Sequence, residues 1–173
     1  PMCLFDYTLE SDGAIAVTVD VTAEGRPYYK VAYRGEDLVG QSHLGFRFKE
    51  QAALDERLTL TAAARASRDE SWEQPWGERR LMRDKHNELT VDFTDAEKKP
   101  RRFSVRFRAF DDGVGFRYEF PDQKTMKSVE IVNEITEFRL PEDATYWWIP
   151  GRRWNRYEYL YNSTPLADVP MAH

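Results

Sequence analysis

Apolar and polar residues alternate with period two along most of the chain and almost never with period 3.6, the pattern of strands half buried on one face. Phe103, Val105, Phe107 and Ala109 fall on one side, with Ser104, Arg106 and Arg108 on the other. Asp111-Asp112-Gly113 follows, and then Val114, Phe116, Tyr118 and Phe120 alternate with Gly115, Arg117 and Glu119. Two alternating runs joined by a tight-turn sequence predict a hairpin. Similar alternation marks Ile15-Val17-Val19, Tyr29-Val31-Tyr33, Leu44-Phe46-Phe48, Leu58-Leu60, Leu89-Val91-Phe93 and Val129 to Phe138. Gly25-Arg26-Pro27 and Gly35-Glu36-Asp37 separate the early strands, and Pro121-Asp122 ends the hairpin. This spacing predicts an all-β fold, a sandwich of antiparallel sheets, with a helical turn or two at most over Glu50–Glu56. The charge-rich stretch Asp95–Arg102 reads as a solvated loop. No repeat and no Pro/Gly/Ser linker interrupts residues 1–173, which are expected to form a single domain.

The 173 residues suffice for one core without disulfides or a structural metal. Aromatic residues make up 14% of the chain, a composition suited to pleated surfaces. The single cysteine, Cys3, excludes a disulfide framework, a thiolate zinc site and a CxxC pair. A net charge of -5 argues against a phosphate-binding footprint, so no nucleic acid is expected. No apolar run approaches the roughly 20 residues that cross a bilayer, so no membrane is expected either. Pro1 to Leu9 contain no basic head followed by an apolar stretch, so no signal peptide is visible there.

Candidate chemistry is sparse. His43, His86 and His173 make no HxxxH or HExxH arrangement, and His86 is expected to be a structural hydrogen-bonding residue. No serine sits in a nucleophile elbow, and Cys3 has no thiolate environment. Asp111-Asp112-Gly113 lacks the further oxygens of a calcium loop and reads as a turn. Among Glu130, Glu134 and Glu137, alternation sets the last two on opposite faces, so they do not straddle one glycosidic bond. The densest signal runs from Tyr146 to Tyr161: Tyr146-Trp147-Trp148-Ile149-Pro150, then Trp154, Tyr157, Glu158, Tyr159 and Tyr161. Such rings stack on sugars, or they pack in a core or against a neighbouring domain. Glu158 stands alone among them, and a carboxylate desolvated by rings needs a cation. Arg153, Arg156 or a bound metal could each supply it. Asn162-Ser163-Thr164 matches a glycosylation acceptor and is expected to be loop.

Several segments in order resemble the amino-terminal domain of glycoside hydrolase family 97, the α-glucosidase and α-galactosidase family. They are Trp72-Glu73-Gln74-Pro75-Trp76-Gly77-Glu78, His86-Asn87-Glu88-Leu89, the run from Phe107 to Pro121, Glu134 to Phe138, Trp147-Trp148-Ile149-Pro150, and Tyr157-Glu158 with Thr164-Pro165-Leu166. The resemblance implies an antiparallel β-super-sandwich of the galactose-mutarotase-like kind, packed on a carboxy-terminal (β/α)8 barrel that carries the catalytic carboxylates. It further implies that Glu158 is the glutamate this domain donates to an active-site calcium, the remaining oxygens of a shell of roughly 6–8 coming chiefly from the barrel. In the family the sandwich continues past the position of His173 before the barrel begins. The domain thus looks truncated at its carboxy end, holds no catalytic residue and is not expected to hydrolyse glycosides unaided. The implied setting is a secreted or periplasmic bacterial enzyme acting on α-linked oligosaccharides. The alternative is a stand-alone carbohydrate-binding module that uses the Trp147–Tyr161 aromatics. An epimerase resting on shared architecture alone lacks its histidine and carboxylate partners.

Overall fold

The computed structural model describes residues 7–151 and 158–170. They separate into two compact units, one up to Arg139 and one from Leu140 onward. The first holds β1 (Thr8–Glu10), β2 (Ile15–Val21), β3 (Pro27–Tyr33), β4 (Glu36–His43), β5 (Phe46–Phe48), β6 (Leu58–Glu73), β7 (Leu81–Asp95), β8 (Arg102–Ala109), β9 (Val114–Glu119) and β10 (Ile131–Glu134). The second holds β11 (Thr145–Trp148), β12 (Asn162–Pro165) and a single 3₁₀ turn, Leu166–Asp168. Every pairing is antiparallel, as expected, and no α-helix occurs among the described residues.

Two four-stranded sheets, ordered β1-β2-β3-β4 and β6-β7-β8-β9, enclose the core of the first unit. The inward rows are those the alternation marks. Val17 lies opposite Val31, and Val19 opposite Tyr29. In the second sheet Leu89 faces Phe107, Val91 faces Val105 and Phe93 faces Phe103. All six of these second-sheet side chains are fully buried. The Tyr29 ring bridges the sheets, its centroid 5.8 Å from Phe107 and 5.2 Å from Phe116. Its hydroxyl donates to the Glu137 carbonyl at 2.8 Å, which satisfies the one polar atom the ring carries inside. Phe46 closes one end, edge-on to Tyr118 at 4.6 Å and to Phe120 at 5.1 Å. The β8–β9 hairpin turns over Asp111-Asp112, with the Phe110 N–H donating to the Gly113 carbonyl at 2.8 Å.

Several sequence expectations need correction. Glu50–Glu56 forms no helix; it bends, and Leu54 bridges Phe46. The stretch from Asp95 is not simply a solvated loop, because Asp95 and Arg101 are buried and paired at 2.7 Å. Arg101 also donates to the carbonyls of Ala52 and Ala53. A pair of opposite charges in one loop reads as solvated until tertiary structure covers both ends. Within Val129–Phe138 only Ile131–Glu134 is strand, pairing with β5; before it the Glu130 carbonyl accepts the Lys49 N–H, and after it Ile135 and Glu137 donate to the Gly45 and His43 carbonyls. Asn162-Ser163-Thr164 lies in β12, not in a loop. The strands β1, β4 and β11 and the outer length of the β6–β7 hairpin went unread. From Leu81 to His86, β7 has no partner in β8, so this ribbon projects from the sheet as a two-stranded arm.

Candidate functional site

In the second unit, β11 and β12 pair Tyr146 with Thr164, Trp147 with Ser163 and Trp148 with Asn162. Strand alternation therefore splits the aromatic cluster between faces. Tyr146 and Trp148 are half-buried. The Tyr146 hydroxyl donates to the Pro141 carbonyl at 2.7 Å, and the Trp148 indole N–H donates to Thr164 Oγ1 at 3.0 Å. Trp147 faces the other way and is 71% exposed, with Tyr161 66% and Leu160 94% exposed nearby in sequence. None of these rings belongs to the core of the sandwich.

Glu158 is exposed, and no hydrogen bond or ion pair joins it to another described residue. The premise of a carboxylate desolvated among rings is thus not met. Its exposure removes the desolvation that would demand a counter-cation; what it offers is an accessible hard-oxygen donor. Arg153 and Arg156, its local alternatives, and Trp154 and Tyr157 lie outside the described residues, as does Cys3. Among the described residues no three His, Cys, Asp or Glu side chains come together as a metal cage. One accessible carboxylate fits a fragment of a calcium shell and no more, because calcium needs roughly 6–8 oxygens.

The other candidates resolve into structural roles. His86 is buried, its Nδ1 bonded to Asp84 and its ring 5.2 Å from Phe110. Glu130 takes Lys49, Glu134 accepts from the Thr136 hydroxyl at 2.6 Å, and Glu137 accepts the His43 N–H at 3.0 Å, so no acid/base pair forms among them. Sequence reading missed a charge ladder on the outer face of the second sheet. Glu88 accepts from Arg106 at 2.8 Å and Arg108 at 3.0 Å, while Arg106 and Arg117 both reach Glu119. Hydrogen bonds from Arg106 and then Arg117 hold the Glu119 carboxyl below the usual carboxylate range. The signal lay in the polar members of the same alternating strands. With every carboxylate already neutralised by guanidinium, the ladder braces the sheet and has no group poised for proton transfer.

The projecting arm carries the other concentration of exposed large side chains. Trp72 is 49%, Leu81 64% and Trp76 84% exposed. The tip is ordered by the Gln74 side chain, which donates to the Arg79 carbonyl at 2.7 Å, and by Arg80, which grips Glu73 at 3.0 Å.

Residues 10–173 match the family described as Glycosyl-hydrolase 97 N-terminal. Among curated proteins, the chain is 32% identical over 82% of its length to a probable retaining alpha-galactosidase of Streptomyces bingchenggensis, covering 21% of that protein. It is 26% identical over 80% of its length to the retaining alpha-galactosidase of Bacteroides thetaiotaomicron, covering 20% of it. Among solved structures, a glycoside hydrolase family 97 enzyme of Pseudoalteromonas sp. strain K8, in complex with panose, superposes with a TM-score of 0.86. It is 43% identical, over 93% of this chain and 25% of that one. A beta-arabinopyranosidase superposes with a TM-score of 0.81 at 28% identity, over 95% of this chain and 27% of that one. The chain therefore spans about a fifth to a quarter of the proteins it matches.

Proposed function

Because the chain belongs to the Glycosyl-hydrolase 97 N-terminal family, we propose that it serves as the amino-terminal sandwich of a secreted or periplasmic α-glycosidase, packed on a catalytic barrel formed by the rest of the polypeptide. The observation that carries this reading is the match across residues 10–173, together with the 43% identity to a family 97 enzyme solved in complex with panose. The substrate class is an α-linked oligosaccharide with α-glucosidic or α-galactosidic bonds.

In this reading the sandwich contributes shape and position, not a nucleophile or a proton donor. The β11–β12 pair, braced by the bond from Trp148 to Thr164, belongs to the same compact unit as Glu158. Glu158 offers its carboxylate to calcium, with the other oxygens coming from the barrel. When bound, such an ion would supply positive charge that stabilises charge developing in the transition state, with Glu158 holding it by its carboxylate oxygens. Glu158 is suited to this because it faces water and spends no bond on another described residue.

The test is Glu158→Gln in the intact enzyme. Apparent calcium affinity, read from hydrolysis against calcium concentration, is expected to fall by at least about tenfold. Unchanged calcium dependence and turnover remove Glu158 from the site. The exposed Trp147 face favours a second reading, a non-catalytic carbohydrate-binding module. Saturable binding of malto-oligosaccharides to the 173-residue chain, abolished in Trp147→Ala, would replace the scaffold reading with that one.

A further inference from the structure

The Trp72–Glu78 segment has no part in the site above, yet it begins at the end of β6, the longest strand of the first unit and exposed from Thr61 to Glu73. Lys85 and His86 still rest on the body of the first unit, through Asp12 and Phe110, so the free overhang of β7 is Leu81–Asp84, about 14 Å at the usual rise per residue before the tip is counted. A two-stranded ribbon this far from its sheet is marginal in water. Here most charges along its strands are paired within the chain: Asp69 with Arg83 at 2.6 Å, Glu73 with Arg80 at 3.0 Å, and Lys85 with Asp12 at 2.7 Å. The apolar groups are not. Trp72 lies opposite Met82 on one face, Leu81 falls on the other face opposite Glu73, and Trp76 stands at the tip. Apolar groups on both faces and at the end suit a ribbon enclosed by a partner better than one lying flat on a surface. The preformed charge pairs hold the ribbon's shape beforehand and so lower the ordering cost of docking.

We propose that this arm is a docking element for the catalytic portion of the same polypeptide, with Trp76 as the buried anchor and Trp72, Met82 and Leu81 flanking it. The inference rests on the reading under Proposed function. The occupant follows from length: about three-quarters or more of each matched protein lies outside the part this chain spans, which is 27% at the most, and in a protein of that length the remaining polypeptide is permanently at hand. A second copy is the poorer occupant, since two chains of net charge -5 repel.

Hydrogen exchange resolved by segment tests this, comparing the 173-residue chain with the intact enzyme. Amides of residues 68–86 are expected to exchange at least tenfold more slowly in the intact enzyme. Trp76→Ala, a change at a side chain that touches little of this chain, is expected to restore much of the fast exchange there. If residues 68–86 exchange equally in both proteins while other surfaces of the chain gain protection, the arm does not dock and the scaffold reading stands. If no segment gains protection, the scaffold reading itself fails. Protection that rises with concentration of the isolated chain makes the arm a self-association surface, and protection that needs added malto-oligosaccharide makes it a sugar site. Either result overturns the proposal.

Discussion

Asp95 and Arg101 show how much one buried pair can hold. The Asp95 carboxylate takes both the Arg101 backbone N–H at 2.9 Å and its Nε–H at 2.7 Å, while the other guanidinium nitrogens tie down the Ala52 and Ala53 carbonyls. One side chain thus fastens two separate loops. Removing only the acid leaves a buried, unpaired guanidinium, a loss of about 3–5 kcal/mol. Asp95→Ala is therefore expected to lower Tm by roughly 10 °C or more in a chain of this size, read by thermal denaturation. An exposed pair such as Lys49–Glu130 is expected to contribute under about 1 kcal/mol in the same assay, because water solvates both partners once they separate.

Among the elements, the passage from β4 into β5 depends on Gly45, whose φ of 146° is strained for any residue with a side chain. A Cβ there would also meet the Leu54 carbonyl oxygen at 2.6 Å, at the bridge that joins Phe46 to Leu54. Gly45→Ala is expected to cost roughly 1–3 kcal/mol in chemical denaturation. Gly115→Ala in β9, where a Cβ meets nothing within 4 Å, is expected to change stability little. The arm depends on surface chemistry instead. Hydrogen bonds from Arg83 and Lys85 hold the Asp69 and Asp12 carboxyls below their usual range. Their contribution is present above the ordinary aspartate pKa and is lost as pH falls through the lowered values, and salt screens it.

For the molecule as a whole, the inter-sheet core sets an alkaline limit. Burial pushes the hydroxyls of Tyr29 and Tyr118 up to about 12, from an ordinary value near 10. Both groups ionise more readily in the unfolded chain. Their stabilisation is therefore complete below about pH 10 and is lost as pH rises toward 12. Denaturation midpoints are expected to stay level up to about pH 10 and to decline above it. Tyr29→Phe, which has no proton to lose, is expected to flatten that decline, at a cost near 1 kcal/mol at neutral pH for the lost bond to the Glu137 carbonyl.

The all-β class, the inward rows of β2, β3, β7 and β8, the Asp111-Asp112-Gly113 hairpin and the family were legible in residue order. Period-two alternation is a local property, and a one-residue slip would carry a whole row out of the core. The structural role of His86 was legible too, because an isolated histidine in an alternating strand finds its partner within a residue or two, here Asp84. The outer β6–β7 arm was not legible. From Ala62 to Glu73 every residue of β6 is exposed, so no alternation marks it, and only pairing with β7 makes it strand. The burial of Arg101 under Ala52 and Ala53 and the partners of Glu130 and Glu137 were likewise settled by residues distant in the chain. Sequence spacing carries the face a side chain occupies; what covers that face depends on segments brought together only when the chain folds.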